Sequence, residues 1–122
     1  MNEDFVPSEL AVKLKEKGFP QDSFMGYDEF GTLCIGDEHS IVCAAPLISQ
    51  VLKWLRKEHY LHFEVVGAAY GYNLIISDTP DKGGTDKYFS HAKDDGPNDG
   101  GAWDKYEDCV LYGIEYVLDN LI

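Results

Sequence analysis

The sequence predicts an α+β fold. The expected form is two layers, with three helices on an antiparallel sheet of four strands, in the order α-ββ-α-ββ-α. Three observations predict it. Residues 45–66 read as an amphipathic helix running straight into an alternating strand. The strand-like segments come in neighbouring pairs split by turn residues, which favours hairpins over parallel crossovers. Helical spacing of apolar residues returns near both ends of the chain. Tyr88–Phe89 offers a fifth, short strand.

The central helix carries Leu47, Val51, Trp54 and Leu55 on one stripe, widened by Ile48 and Leu52. Gln50, Lys53, Lys57 and Glu58 fall on the other side. That is a surface helix with one buried face. Pro46 suits a first helical position, where a missing N–H is harmless. Arg56, Lys57 and His59 complement the dipole at the far end. The period then drops to two, with Leu61, Phe63 and Val65 alternating with His62, Glu64 and Val66. Trp54, Leu55, Leu61 and Phe63 are the first core candidates. Trp54 is expected to be buried against the sheet, near Phe63 and the C-terminal helix around Val110 or Ile114.

Residues 8–17 predict a short helix facing inward through Leu10, Ala11 and Leu14, closed by Gly18. Phe24–Asp28 and Thr32–Ile35 predict a hairpin turning at Glu29–Gly31, with Gly26 weakening or bulging its first strand. Gly36–Ser40 reads as a polar loop, and Ile41–Ala44 as an extended entry to the central helix. Gly67–Gly71 supplies a reversal longer than two residues before the strand Tyr72–Asp78, with Leu74 and Ile76 on one face and Ile75 on the other. Residues 79–102 read as a long polar loop. The last helix is expected from Asp104, capped by Asp104 and Glu107, with Tyr106, Val110, Ile114, Val117, Leu118 and Leu121 inward. Gly113 sits on that inner face, where its lack of a side chain permits close approach to the sheet.

Composition narrows function. The 122 residues suffice for one domain, 1–122, and 44% hydrophobic content argues against disorder. A net charge of −12 repels phosphates and disfavours nucleic-acid binding. The charge is uneven: residues 41–77 carry net +1, and the acids crowd the flanks. The start, MNEDF, lacks a signal-peptide pattern, and no apolar run spans a bilayer. The odd set Cys34, Cys43 and Cys109 does not make a disulfide framework. A cytoplasmic protein without membrane contact is the expectation.

The blocks FVPSELAVKLKEKGF, APL…VLKWLRKEHYLHFEV and YEDCVLYGIEYVL resemble a family of small uncharacterised proteins frequent in phages and mobile elements of gut Bacteroidetes. The resemblance covers nearly the whole chain in the same block order, with residues 79–102 fitting least. It implies a cytoplasmic, single-domain protein of phage derivation. It carries over no activity, cofactor or catalytic residue.

Chemical motifs are sparse. Cys34, His39 and Cys43, with His59 and His62 further on, are zinc-ligand types, yet no CxxC or HxxxH spacing gathers them. Asp94, Asp95, Asn98, Asp99 and Asp104 suggest calcium, but Pro97 and Tyr106 occupy ligand positions of the EF-hand pattern. Cys43 with His39, or Ser90 with His91, are the available nucleophile–base pairs for a small hydrolase. No metal or cofactor is expected. Tyr70, Tyr72, Tyr88 and Trp103 are the candidate interaction surface, since tyrosine and tryptophan are enriched at interfaces. The expected function is a non-enzymatic protein-interaction domain binding a protein partner or a second copy. The alternatives are an acidic nucleic-acid mimic blocking a DNA-binding enzyme, and a small hydrolase.

Overall fold

A computed structural model describes residues 5–21, 25–35, 41–68, 71–78, 88–89 and 103–122. Among these described residues, three helices and six strands follow in the order α1 (Ser8–Glu16), β1 (Met25–Tyr27), β2 (Leu33–Ile35), β3 (Cys43–Ala44), α2 (Ile48–Glu58), β4 (Leu61–Ala68), β5 (Gly71–Asp78), β6 (Tyr88–Phe89) and α3 (Tyr106–Asn120). The class is α+β with antiparallel pairing throughout. The strands form two three-stranded sheets, β2-β1-β3 and β4-β5-β6, where sequence reading expects one. The extended residues before the central helix are the reason: as β3 they pair with β1 and complete a separate small sheet. The chain clusters into two units, Met1–Val51 and Leu52–Ile122, each carrying one of these sheets.

In the first unit, α1 buries Leu10, Ala11 and Leu14. Its end is a Schellman motif: Phe19 N–H donates to Leu14 O and Gly18 N–H to Lys15 O, with Gly18 at φ 92°. The Tyr27 hydroxyl donates to Val6 O at 2.5 Å, and Lys15 Nζ donates to Val42 O at 2.6 Å. Gly26 is no bulge. It pairs regularly with Cys34 and Ala44, and a Cβ there would lie 2.8 Å from Cys43 O and collide with the Ile41 side chain. Phe24 and residues 36–40 lie outside the described residues.

Helix α2 begins two residues after Pro46. Pro46 is not its first residue, because Pro46 O accepts from Val6 N–H and Leu47 bridges Phe5, which holds both extended. Gln50 Oε1 then reaches back to Leu47 N–H at 2.9 Å. Ile48, Val51 and Leu55 are buried. Trp54 is only half-buried, contrary to expectation, and its ring packs edge-on against His59 at 4.7 Å. The helical repeat explains it. At about 100° per residue, Trp54 lies near 90° from the centre of the Ile48–Val51–Leu55 stripe, on its flank.

In the second unit, β4 and β5 pair from Leu61↔Asp78 to Ala68↔Gly71. The strands are longer than the Gly-rich sequence suggests, so two residues, 69 and 70, separate them rather than a longer loop; ladder pairing overrides the weak strand preference of Gly67 and Ala68. Leu74 and Ile76 are fully buried, and Ile75, on the other face, is half-buried. β6 pairs with β5 through Ile76↔Phe89 and Ser77↔Tyr88. The rest of 79–102 lies outside the described residues.

Helix α3 packs on β4 and β5 and buries Cys109, Val110, Gly113, Ile114, Val117 and Leu118. A Cβ on Gly113 would lie 2.9 Å from Phe63 Cε2 and overlap the Leu74 side chain, so the glycine sets the helix–sheet spacing. The helix starts at Tyr106 with Lys105 at the N-cap, which makes no side-chain cap bond; the start at Asp104 is thereby corrected. Tyr106, in the first turn, is 44% exposed and not inward. Cys109 takes its place in the core. Tyr60 joins α2 to β4 at φ 57°.

Candidate functional site

The structure places two of the four predicted surface residues together. Tyr72, second in β5, and Trp103 exchange backbone hydrogen bonds of 2.7 and 2.9 Å. Trp103 thus continues the edge of β5 on which β6 also pairs. Its ring lies 5.1 Å from that of Tyr112, and the residue is 7% exposed, so it serves packing rather than open surface. Tyr72 stands edge-on to Tyr106, centroids 6.0 Å apart at 86°, and it is Tyr106 that reaches solvent. Such edge-to-face pairs suit the ring quadrupoles. Tyr88 is described only as a strand position opposite Ser77, and Tyr70 lies outside the described residues.

A second apolar display, not singled out from the sequence, sits on the first hairpin. Asp28 organises its turn. Asp28 Oδ1 accepts from Phe30 N–H and Thr32 N–H, both at 2.9 Å, while Asp28 N–H donates to Thr32 O and Gly31 N–H to Asp28 O. Gly31 supplies the left-handed φ of 77°. The turn so fixed holds Phe30 83% exposed, and Ile35 at the end of β2 is 66% exposed. The available signal was the order Asp-Glu-Phe-Gly: an aromatic between two turn-forming residues has no buried side to turn to.

All three cysteines are free and buried. Burial pushes the Cys34 thiol up, and Asp28 beside it adds to the shift; its Sγ lies 3.3 Å from Thr32 O and 3.8 Å from Asp28 Oδ2. Burial also raises Cys43, partly offset by Lys15 and by a backbone hydrogen bond with Tyr27. Burial raises Cys109 to about 11. The Tyr27 hydroxyl is raised by burial and then by Cys43. Nucleophilic cysteines need the opposite shift, toward the thiolate. Among the described residues, no three His, Cys, Asp or Glu side chains gather as metal ligands would. His39, Ser90, His91 and Asp94–Asp99 lie outside them. Among the described residues, no helix is long and apolar enough to cross a membrane.

No protein-family model matches this chain, and neither a curated protein nor a solved structure matches it.

Proposed function

We propose that this chain is a non-enzymatic protein-interaction domain that grips a partner through the Phe30 hairpin. The carrying observation is Phe30 itself, 83% exposed on a turn that Asp28 and Gly31 hold rigid. A pre-ordered aromatic loses little freedom on binding and fits the pattern of an interface anchor. Ile35 extends the apolar contact, and the chain's −12 charge favours a partner with an apolar pocket and a basic rim. Tyr106, 44% exposed and backed edge-on by Tyr72, is a second contact of the same kind. The three free, buried cysteines suit a reducing cytoplasm. A phage or mobile-element origin belongs to the same reading through the block resemblance, and the neighbouring genes would test it.

The test is capture from lysate on the immobilised chain, in parallel with Phe30→Ser and Ile35→Ser variants, together with light scattering. A partner retained by the parent and lost by Phe30→Ser is expected. A strict monomer with no retained partner, or capture indifferent to both substitutions, overturns the reading.

A further inference from the structure

From the edge of β4 that no described strand covers we infer a second interaction, with a second copy of this chain. β4 pairs with β5 on one side, and among the described residues nothing pairs with its other edge. Such an edge is a template for another strand unless charge or shape blocks it. Here the side chains favour one self-pairing. An antiparallel junction centred on Phe63 sets His62 of each copy opposite Glu64 of the other, twice, on the exposed face. On the opposite face it sets Leu61 against Val65 and Phe63 against Phe63. That second face is the one α3 covers, since Phe63 and Leu74 both meet Gly113.

Burial along the strand agrees with this arrangement. His62 and Glu64 are exposed, and Phe63 and Val65 remain half-exposed on the helix-covered face, as apolar residues beside an open edge would. Sliding the register by two residues one way brings Glu64 opposite Glu64, which a strongly acidic chain resists; sliding it the other way brings His62 opposite His62 and gives up both His62–Glu64 pairs. A slip by one would exchange the two faces. The pairing joins two three-stranded sheets into one of six strands with both copies of α3 on the same side. It does not rest on the Phe30 hairpin. A chain that stays monomeric while capturing a partner through Phe30 would overturn the self-pairing and leave the proposed function standing.

The test measures molar mass by light scattering from about 1 μM to about 1 mM, a range that brackets weak to moderate self-association. The parent is expected to shift from monomer to dimer. His62→Glu, which sets acids against acids, should remain monomeric, and His62→Glu combined with Glu64→His should restore the dimer. Oxidation with diamide should link His62→Cys/Glu64→Cys copies covalently, and should leave His62→Cys/Val66→Cys copies unlinked. Circular dichroism confirms that each variant is folded. A parent monomeric across the whole range, a His62→Glu dimer, or linkage in the 62/66 variant alone overturns the inference.

Discussion

At the residue scale, Gly113 decides how closely α3 meets its sheet. Alanine usually stabilises a helix over glycine by about 1 kcal/mol. Here its methyl would enter the space of Phe63 and of the fully buried Leu74, and overpacking costs about 1–3 kcal/mol. Gly113→Ala is therefore expected to lower stability, read by chemical denaturation. In a Leu74→Val background, where the obstructing methyl is shortened, the loss should shrink or reverse; equal losses in both backgrounds would remove the steric account. Leu55 and Trp54 separate burial from mere size. Leu55→Ala should cost about 2–5 kcal/mol. Trp54→Ala, on a half-buried flank, should cost only about 1–2 kcal/mol despite the larger side chain. Cys109 adds a pH dependence. Its folded value near 11 stands above the ordinary 9.0, so the fold favours the neutral thiol. Its contribution is whole below pH 9 and fades as pH rises toward 11, at about 1.4 kcal/mol per pH unit. Urea midpoints at pH 8, 10 and 11 should fall less steeply for Cys109→Val than for the parent.

At the element scale, two devices set the first unit. Asp28 accepts two backbone N–H groups through one oxygen. Asp28→Ala should cost about 1–3 kcal/mol, and Asp28→Asn, which retains an acceptor, distinctly less. Asp28→Asn should also bring the Cys34 thiol back toward its ordinary value, seen as faster alkylation at pH 8. The second device is Gly26, whose bare backbone lets β3 and the Ile41 side chain close over β1. The elements themselves were legible wherever one face is buried. The alternation of β4, the Leu74–Ile76 face of β5 and the stripe of α3 were all readable as periods. What escaped the sequence was decided by partners distant along it. Pro46 is held out of its helix by Val6, and Cys43–Ala44 becomes a strand only because β1 offers an edge. The candidate surface was half legible. Aromatic content marked Tyr72 and Trp103, but only pairing across 31 residues shows Trp103 turned inward and Tyr106 left outside.

At the scale of the whole molecule, net charge sets the expected response to salt. With a net charge of −12 on 122 residues, folding gathers like charges that the unfolded chain keeps apart. Salt screens such repulsion over a Debye length of about 10 Å at 0.1 M. The melting temperature should rise between 10 mM and 500 mM sodium chloride, and a flat response would mean that local pairs already neutralise the surface. The near-neutral stretch 41–77 holds much of the core, as its composition suggests, yet α1 and α3 bury nearly as many apolar side chains from acidic flanks. Amphipathic helices keep acids on one side and leucines on the other, so block-averaged charge does not mark what is inside.

Tyr60, held at φ 57° between α2 and β4, has a consequence for insertions and deletions. The helix ends and the two-residue alternation begins within this one joint. Dropping a single residue here would leave the composition almost untouched. It would put helix and strand out of phase: β4 keeps Phe63 against Gly113 only if α2 turns about its axis, and α2 keeps Leu55 buried only if β4 turns over and brings His62 and Glu64 to the face of Gly113. Length at this joint is therefore less negotiable than identity. Relatives of this chain should hold at position 60 residues that tolerate a left-handed φ, Gly and Asn first among them, and should hardly vary in how many residues lie between Leu55 and Leu61.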